Sequence, residues 1–429
     1  MKKVISLLLV CIFAISIFAG CGAQKAAPDT AQTDTTKQEP AKEDAKKDAP
    51  AEKAKLKMWY YYGDKGQQET MNALMKEYSD QSKVAEIKAE VIPFADFKKQ
   101  LSVGLAATNL PDLVLIDNPD NASYAAMGLF ADLTAKLADW TDKDQYFEGP
   151  WKSAQLDGKT YGIPFGSNCL GLFYNKDMFE KAGVKEPPQT WDELRETAKK
   201  LTGNGVTGIG IAAPKSEEGT FQFLPWILAA GGEQTKLDSP EGVKAYSYLA
   251  DLIKDGSMSK EVINWTQGDL PEQFKAKKIA MMIMGPWQLE PIKRDAPDLK
   301  FGVAMIPKDK QFSSVLGGEN WGVVNGKNVD ATLDFVKWVT APEKVKSYIS
   351  KFGYFPSRKD VAADPQFTAT DDLKVFMQIM EVAQPRGPHA KWPQVSTGMF
   401  TALQESLTLS KTPEAAAKDG QALIDKALK

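Results

Sequence analysis

Between residues 56 and 116 the chain changes period four times, and that alternation restricts it to one class of fold. "LKMWYYY" (56–62) is an apolar and aromatic run of strand length, after which Met71, Leu74, Met75 and Tyr78 share one face of a helix starting near Gly66. "VAEIKAEVI" (84–92) reads as a second strand, Phe94, Phe97, Leu101 and Leu105 as a second helical stripe, and "DLVLI" (112–116) as a third strand. Strands separated by helices predict an α/β chain with a mostly parallel sheet and helices on both faces. Ligands of such sheets sit at the carboxyl ends of the strands. Here those ends read "YYGDKG" (61–66) and "IDNPDN" (116–121).

The pattern restarts near residue 160. "YGIPFGSNCLGLFYNKDMF" (161–179) is extended and punctuated by Gly and Pro, and Thr190 with Glu193 forms a capping box for a helix through Leu201. Ser239-Pro240, an N-cap followed by an N1 proline, opens a helix that Gly256 stops. "KIAMMIMGPWQL" (278–289) is apolar on both alternating faces from Ile279 to Met284 and is cut off by Gly285-Pro286. That is a strand buried on both sides, and it delivers Trp287 to its end. "SVLGGENWGVV" (314–324) is extended, helices begin near Ala331 and Pro342, and "QPRGPHAKWPQ" (384–394) is a Pro-rich passage. No short-period repeat is present, which excludes a solenoid.

The N-terminus is of another kind. Lys2 and Lys3 precede an uncharged, largely apolar stretch from Val4 to Ala19, the n- and h-regions of a secretory signal spanning 1–20. The following "FAGCG" resembles a bacterial lipobox, with Ala19 and Gly20 at the small positions, Cys21 as the residue to be lipidated, and Phe18 where Leu is usual. The expected mature chain begins at a diacylated Cys21 and is anchored outside the cytoplasmic membrane. Residues 22–55 contain no aromatic residue and no Leu, Ile, Val or Met, so 21–55 reads as the lipidated Cys and a disordered tether. With Cys11 removed and Cys21 lipidated, Cys169 has no partner for an intrachain disulfide. The fold is left to its core, and the chain beyond residue 55 suffices for two domains of ~100 to 200 residues each.

A formal net charge of −3 points to neither nucleic acid nor an anionic membrane surface. Four residues are Arg (Arg195, Arg294, Arg358, Arg386) and one is His (His389). Bidentate clamping of anions favours Arg, so a strongly anionic ligand is disfavoured; a lone His excludes multi-His metal sites and triads needing a second His. GxxxxGK[ST], GxSxG and HExxH are all absent, and no catalytic residue, metal ligand or cofactor is assigned. A carboxylate pair for glycoside hydrolysis is defined by distance in space, so that alternative stays open. The positive signal is the aromatic and polar set at strand ends: Tyr61, Tyr62, Asp64, Asp117, Asn118, Trp287, Glu319, Asn320 and Trp321. Flat aromatic faces suit the C–H faces of sugar rings, and carboxyl and amide groups take the hydroxyls. Trp59, Trp191 and Trp338, inside regular elements, read as packing.

Eight stretches, taken in order, resemble the family 1 extracellular solute-binding proteins of ABC transporters, the maltose-binding-like lipoproteins. They are "YYGDKG", "LPDLVLIDN", "YGIPFGSNCLGLFYNKDMFEKAG", "PPQTWDEL", "LAAGGE", "AMMIMGPWQ", "LGGENWGV" and "TAPEKVKSYISKFGYFPSR". The similarity runs from Leu56 to the C-terminus and implies a two-lobed, type II periplasmic-binding-protein-like fold with three interlobe crossings and ligand in the cleft. By similarity the crossings fall near Pro164, 313–317 and 365–372, with lobe 1 as 56–164 plus 318–366 and lobe 2 as 165–317 plus 367–429. The resemblance adds Lys65, Asn168, Phe221, Phe223, Trp226, Arg386 and Trp392 as candidate ligand contacts and makes Trp287 a stacking platform. The maltose-binding protein's aromatic after the third strand is replaced here by Ile116 or Asp117, which argues against maltodextrin itself.

What the resemblance implies is a monomeric receptor that captures a sugar or oligosaccharide, closes its lobes, and presents the closed form to ABC permease subunits. Closure follows when the ligand contacts both lobes and so favours the closed state. No covalent chemistry, cofactor, metal or nucleic acid is implied. The alternatives are a polyamine or other small solute, which Asp64, Asp117 and Glu319 would serve equally well, and a lipoprotein glycoside hydrolase.

Overall fold

A computed structural model describes residues 52–387 and 389–429. The signal segment, Cys21 and nearly all of the tether lie outside the described residues, whereas Ala54 and Lys55, read as the tether's end, already belong to the first strand. In chain order the strands are β1 (Ala54–Tyr60), β2 (Ala85–Val91), β3 (Leu113–Asp117), β4 (Gln155–Leu156), β5 (Lys159–Thr160) and β6 (Ile163–Cys169). They continue as β7 (Gly171–Asn175), β8 (Thr207–Gly210), β9 (Ile279–Met284), β10 (Phe301–Ala304), β11 (Ser314–Val323) and β12 (Ala383–Pro385). A six-stranded sheet runs β12-β11-β3-β1-β2 with β6 also paired to β11, a four-stranded sheet runs β10-β7-β9-β8, and β4-β5 is a hairpin.

The opening βαβαβ unit forms as its periods dictate. β1 pairs in parallel with β2 and with β3, and the helix Lys65–Gln81 connecting the first pair buries Met71, Leu74, Met75 and Tyr78. Its N-terminus is capped by Asp64, whose carboxylate accepts from the Gln67 amide. The larger sheet is less parallel than the sequence suggests, because β11 inserts antiparallel to both β3 and β6. The capping box at Thr190 and Glu193 and the Ser239 cap are both present.

Sheet membership changes at Leu170, between β6 and β7, and again between Ala304 and Ser314. Pro164 and residues 314–317 therefore lie inside strands of the larger sheet, held there by the β6–β11 ladder. β12 adds to the edge of that sheet before the helix Trp392–Leu407 packs on the helices Glu217–Ala229 and Pro240–Lys254 beside the smaller one.

All six residues of β9 are fully buried. Met282 and Met284 join an apolar cluster that continues under the larger sheet to Leu115 and Trp321, and Met281 and Ile283 join the one under the helices of the smaller sheet. Cys169, at the end of β6, is fully buried with its Sγ 3.8 Å from the Phe376 carbonyl, and burial pushes its thiol pKa well up. Among the described residues no helix is long and apolar enough to cross a membrane.

Candidate functional site

Trp287 follows β9 by three residues. Gly285 is extended and Pro286–Gln288 forms a single tight turn, so the chain folds back over the strand end. The indole lies on Gly285: a Cβ there would come within 1.8 Å of the ring. From the other side Gly353, at φ +70°, is so close that its Cβ would lie 2.4 Å from the Trp287 Cα. Held between these two glycines, the half-buried ring borders a cavity of about 780 Å³, with Phe221 6.4 Å and Tyr354 6.3 Å away between centroids.

The carboxyl ends of β1 and β3 form the opposite wall. Asp117 and Glu319 are direct partners in the β3–β11 ladder, so their side chains share a face and would repel if both were charged and unpaired. Each is handled differently. Arg386 grips Asp117 through two hydrogen bonds (2.5 and 2.8 Å) and also donates to Glu217 (2.8 Å) and to the Asn118 side chain (3.3 Å). Glu319 has no cation; its Oε1 accepts from the hydroxyls of Tyr61 (2.9 Å) and Tyr354 (2.8 Å), and its Oε2 has no partner. Burial first, and the nearby Asp117 second, push the Glu319 carboxyl up to about 8.

The remaining charges of the cavity are largely neutralised. Arg294 pairs with Asp64 (2.8 Å) and Asp295 (2.7 Å), and Lys275 with Glu272 (2.7 Å) and Asp295 (3.1 Å). Glu218 accepts only from the Gln267 amide (2.6 Å), and burial pushes it up to about 7. Tyr62 Oη and Asn168 Oδ1 are buried at the same cavity without partners. No group of His, Cys, Asp and Glu suited to holding a metal occurs among the described residues.

A family model described as bacterial extracellular solute-binding protein matches residues 73–375. The chain belongs to that family. Among curated relatives, the solute-binding protein is 28% identical to the maltotriose-binding protein of Pyrococcus abyssi over 358 residues, covering 79% of this chain and 74% of that one. Among solved structures it is similar to an ABC transporter solute-binding protein of Thermotoga lettingae bound with alpha-D-tagatose (TM-score 0.82, 28% identity, 88% of this chain and 100% of the other). It is also similar to the maltose-bound MalE3 of T. maritima (TM-score 0.78, 25% identity, 87% and 99%). The two-sheet architecture is accordingly the type II, two-lobed α/β fold.

In this solute-binding protein Tyr62, Asp64, Lys65, Asp117, Asn168, Phe221, Trp287, Glu319 and Arg386 all line the cavity, as does Tyr61. Asn118 stands behind it, bonded to Arg386. Five expected contacts are elsewhere. Trp226 is fully buried against Trp191 and Tyr248, because five residues along the helix Glu217–Ala229 turn it well away from the face carrying Phe221. Phe223 of the same helix stacks on Tyr246. Asn320 points to the opposite face of β11 from Glu319 and bonds Ser153. Trp321 shares Glu319's face but sits one pleat repeat deeper, packed on Phe165 and Phe335. Trp392 lies under the cavity floor and donates its indole N–H to Glu217 (3.1 Å).

Sequence reasoning missed Glu217, Glu218, Arg294 and Tyr354, all of which line the cavity. Glu217 and Glu218 occupy the first turn of their helix, where acids are ordinary for helix-dipole reasons and so carry no functional signal. Tyr354 lies in the "FGYFPSR" stretch that carries the family resemblance, which was the available clue.

Proposed function

We propose that this protein captures a neutral sugar or oligosaccharide between its lobes and delivers it to the permease of an ABC transporter, without covalent chemistry. The lobes are taken as 56–164 with 318–366 and 165–317 with 367–429, and the protein as a monomer anchored by lipid on Cys21. One observation carries the ligand class: Trp287 faces a cavity whose two guanidiniums are each paired to two carboxylates, while the cation-free carboxyls Glu218 and Glu319 are held near neutrality. An indole beside uncharged polar groups suits a hydroxyl-rich ring better than an anion. The relatives named above, whose described ligands are sugars, support the same reading.

A cationic ligand is the second reading, favoured by the same two carboxyls, which a polyamine would ionise. A thermal-shift panel of neutral sugars, polyols and spermidine separates the two, since a ligand at 100 times its Kd stabilises by about 2.7 kcal/mol. Stabilisation by spermidine alone would overturn the carbohydrate reading. Unchanged oligosaccharides after prolonged incubation with the protein are expected, and shortened products would make it a hydrolase. For the anchor, Cys21→Ala is expected to release the protein from membranes or alter its processing, with ligand binding intact; a mutant still tightly membrane-bound would refute lipidation.

A further inference from the structure

Both ends of the Pro-rich passage 384–394 close on one carboxylate. Glu217 Oε1 accepts from Arg386 Nη1 at 2.8 Å and from the Trp392 indole N–H at 3.1 Å. Arg386 in turn grips Asp117, at the end of β3, through two further hydrogen bonds. We propose that Asp117, Arg386 and Glu217 form a latch that draws the two sides of the cleft together before any solute arrives, with Glu217 as the positioning residue that catches it.

Each half of the latch is fixed to its own sheet. Arg386 follows β12, whose Pro385 is the ladder partner of Leu316 in β11, and Asp117 is the ladder partner of Glu319 in the same strand, so both belong to the larger sheet. Glu217 opens the helix Glu217–Ala229. Gln222 of that helix donates to the Ile283 carbonyl of β9 (3.0 Å), and the hydroxyls of Thr220 and Ser396 join it to the helix Trp392–Leu407 (2.8 Å). The Arg386–Glu217 bond therefore runs from one sheet to the elements of the other. So does a second contact, the Arg386 guanidinium 4.4 Å above the Phe221 ring of the same helix.

The latch can open without stranding a charge, and a stranded buried charge is what makes breaking such a pair costly. Arg386 keeps both oxygens of Asp117 when Glu217 leaves, and Glu217 keeps the indole of Trp392 on its own side. Closed, it is the better shielded of two bridges across the cleft: the Arg386 and Glu217 side chains are each 3% exposed, whereas Arg294 opposite Asp64 is 50% exposed. A shielded pair is screened little by salt, and an exposed one contributes little. None of these contacts involves a solute, so the latch acts whichever one the cavity takes. Apparent affinity scales with the fraction of molecules already in the binding-competent form, so the latch raises affinity through the closed population rather than through a bond to the solute.

Small-angle scattering on the solute-free mature protein is the test, with Glu218 as the control. That carboxyl is the next residue of the same helix and lines the same cavity, but it bonds Gln267 and nothing across the cleft. Glu217→Ala and the isosteric Glu217→Gln are each expected to enlarge the solute-free radius of gyration, the alanine variant more, whereas Glu218→Ala leaves it unchanged. A denaturant melt checks that each variant is folded; if the alanine variant is not, the glutamine variant decides alone. An unchanged radius in the folded Glu217 variants, or an equal increase with Glu218→Ala, overturns the latch.

Discussion

Glu319 combines two properties that rarely meet: it is buried without a cation, and one of its oxygens is already taken by two phenols. A carboxyl held up to about 8 carries its proton at neutral pH, and with Oε1 accepting from two phenols that proton falls to the unpartnered Oε2 in the cavity wall. Through Glu319, sugar affinity is therefore expected to weaken by up to about tenfold per pH unit above pH 8. Glu319→Gln, which keeps a donor and removes this titration, should bind with a profile that is flat above pH 8; a variant that loses binding at pH 7 would show that the charged form is the one used. Stability should follow the same group. The folded state holds this proton after the unfolded chain has lost it, so stability from Glu319 is present below the ordinary carboxyl range and is lost as pH rises toward about 8. The two tryptophans separate binding from packing. Trp287→Ala should weaken binding roughly ten- to hundredfold, at less cost than a core truncation. Trp226→Ala should cost about 3 to 5 kcal/mol in a denaturant melt while the folded fraction still binds. The place of Trp287 just beyond the strand end was legible because Gly-Pro marks where the strand stops. Trp226 and Trp321 were misread because residue type does not reveal which face of a helix, or what depth of a strand, meets the cavity.

At the level of elements, the alternation of strand and helix was written in the periodicity, and β1 to β3 form with the expected order and direction. β11 was legible as extended but not as antiparallel, since its direction depends on where the chain returns after the long excursion from Leu170 to Ser314 that builds the smaller sheet, and no local pattern encodes that. Nor could periodicity place the turn Ile349–Phe352 against the end of β9. That contact rests on Gly353. A side chain at φ +70° costs about 1 to 2 kcal/mol, and here its Cβ would also strike the Trp287 backbone. Gly353→Ala should accordingly lower both stability and sugar affinity, measured by melts and titration on one preparation. Lost stability with unchanged affinity would show that the platform does not depend on this turn.

Taken whole, the molecule is bridged across its cleft by groups from both sheets. Arg386 follows β12 of the larger sheet and joins Asp117 at the end of β3 to Glu217 at the start of a helix beside the smaller sheet, and Asp64 meets Arg294 further out. A ligand touching both walls adds to these contacts, and small-angle scattering is expected to show a smaller radius of gyration at saturating sugar; an unchanged profile would count against closure. The position of Cys169 has a practical consequence. Its thiol is sealed at the end of β6, one residue before the chain leaves the larger sheet, and it is the free cysteine among the described residues. A thiol reagent added to the native protein must wait for that seam to open, so the rate of labelling is a clock for local opening. Timed with and without sugar, it would report how firmly the ligand staples the joint between the lobes.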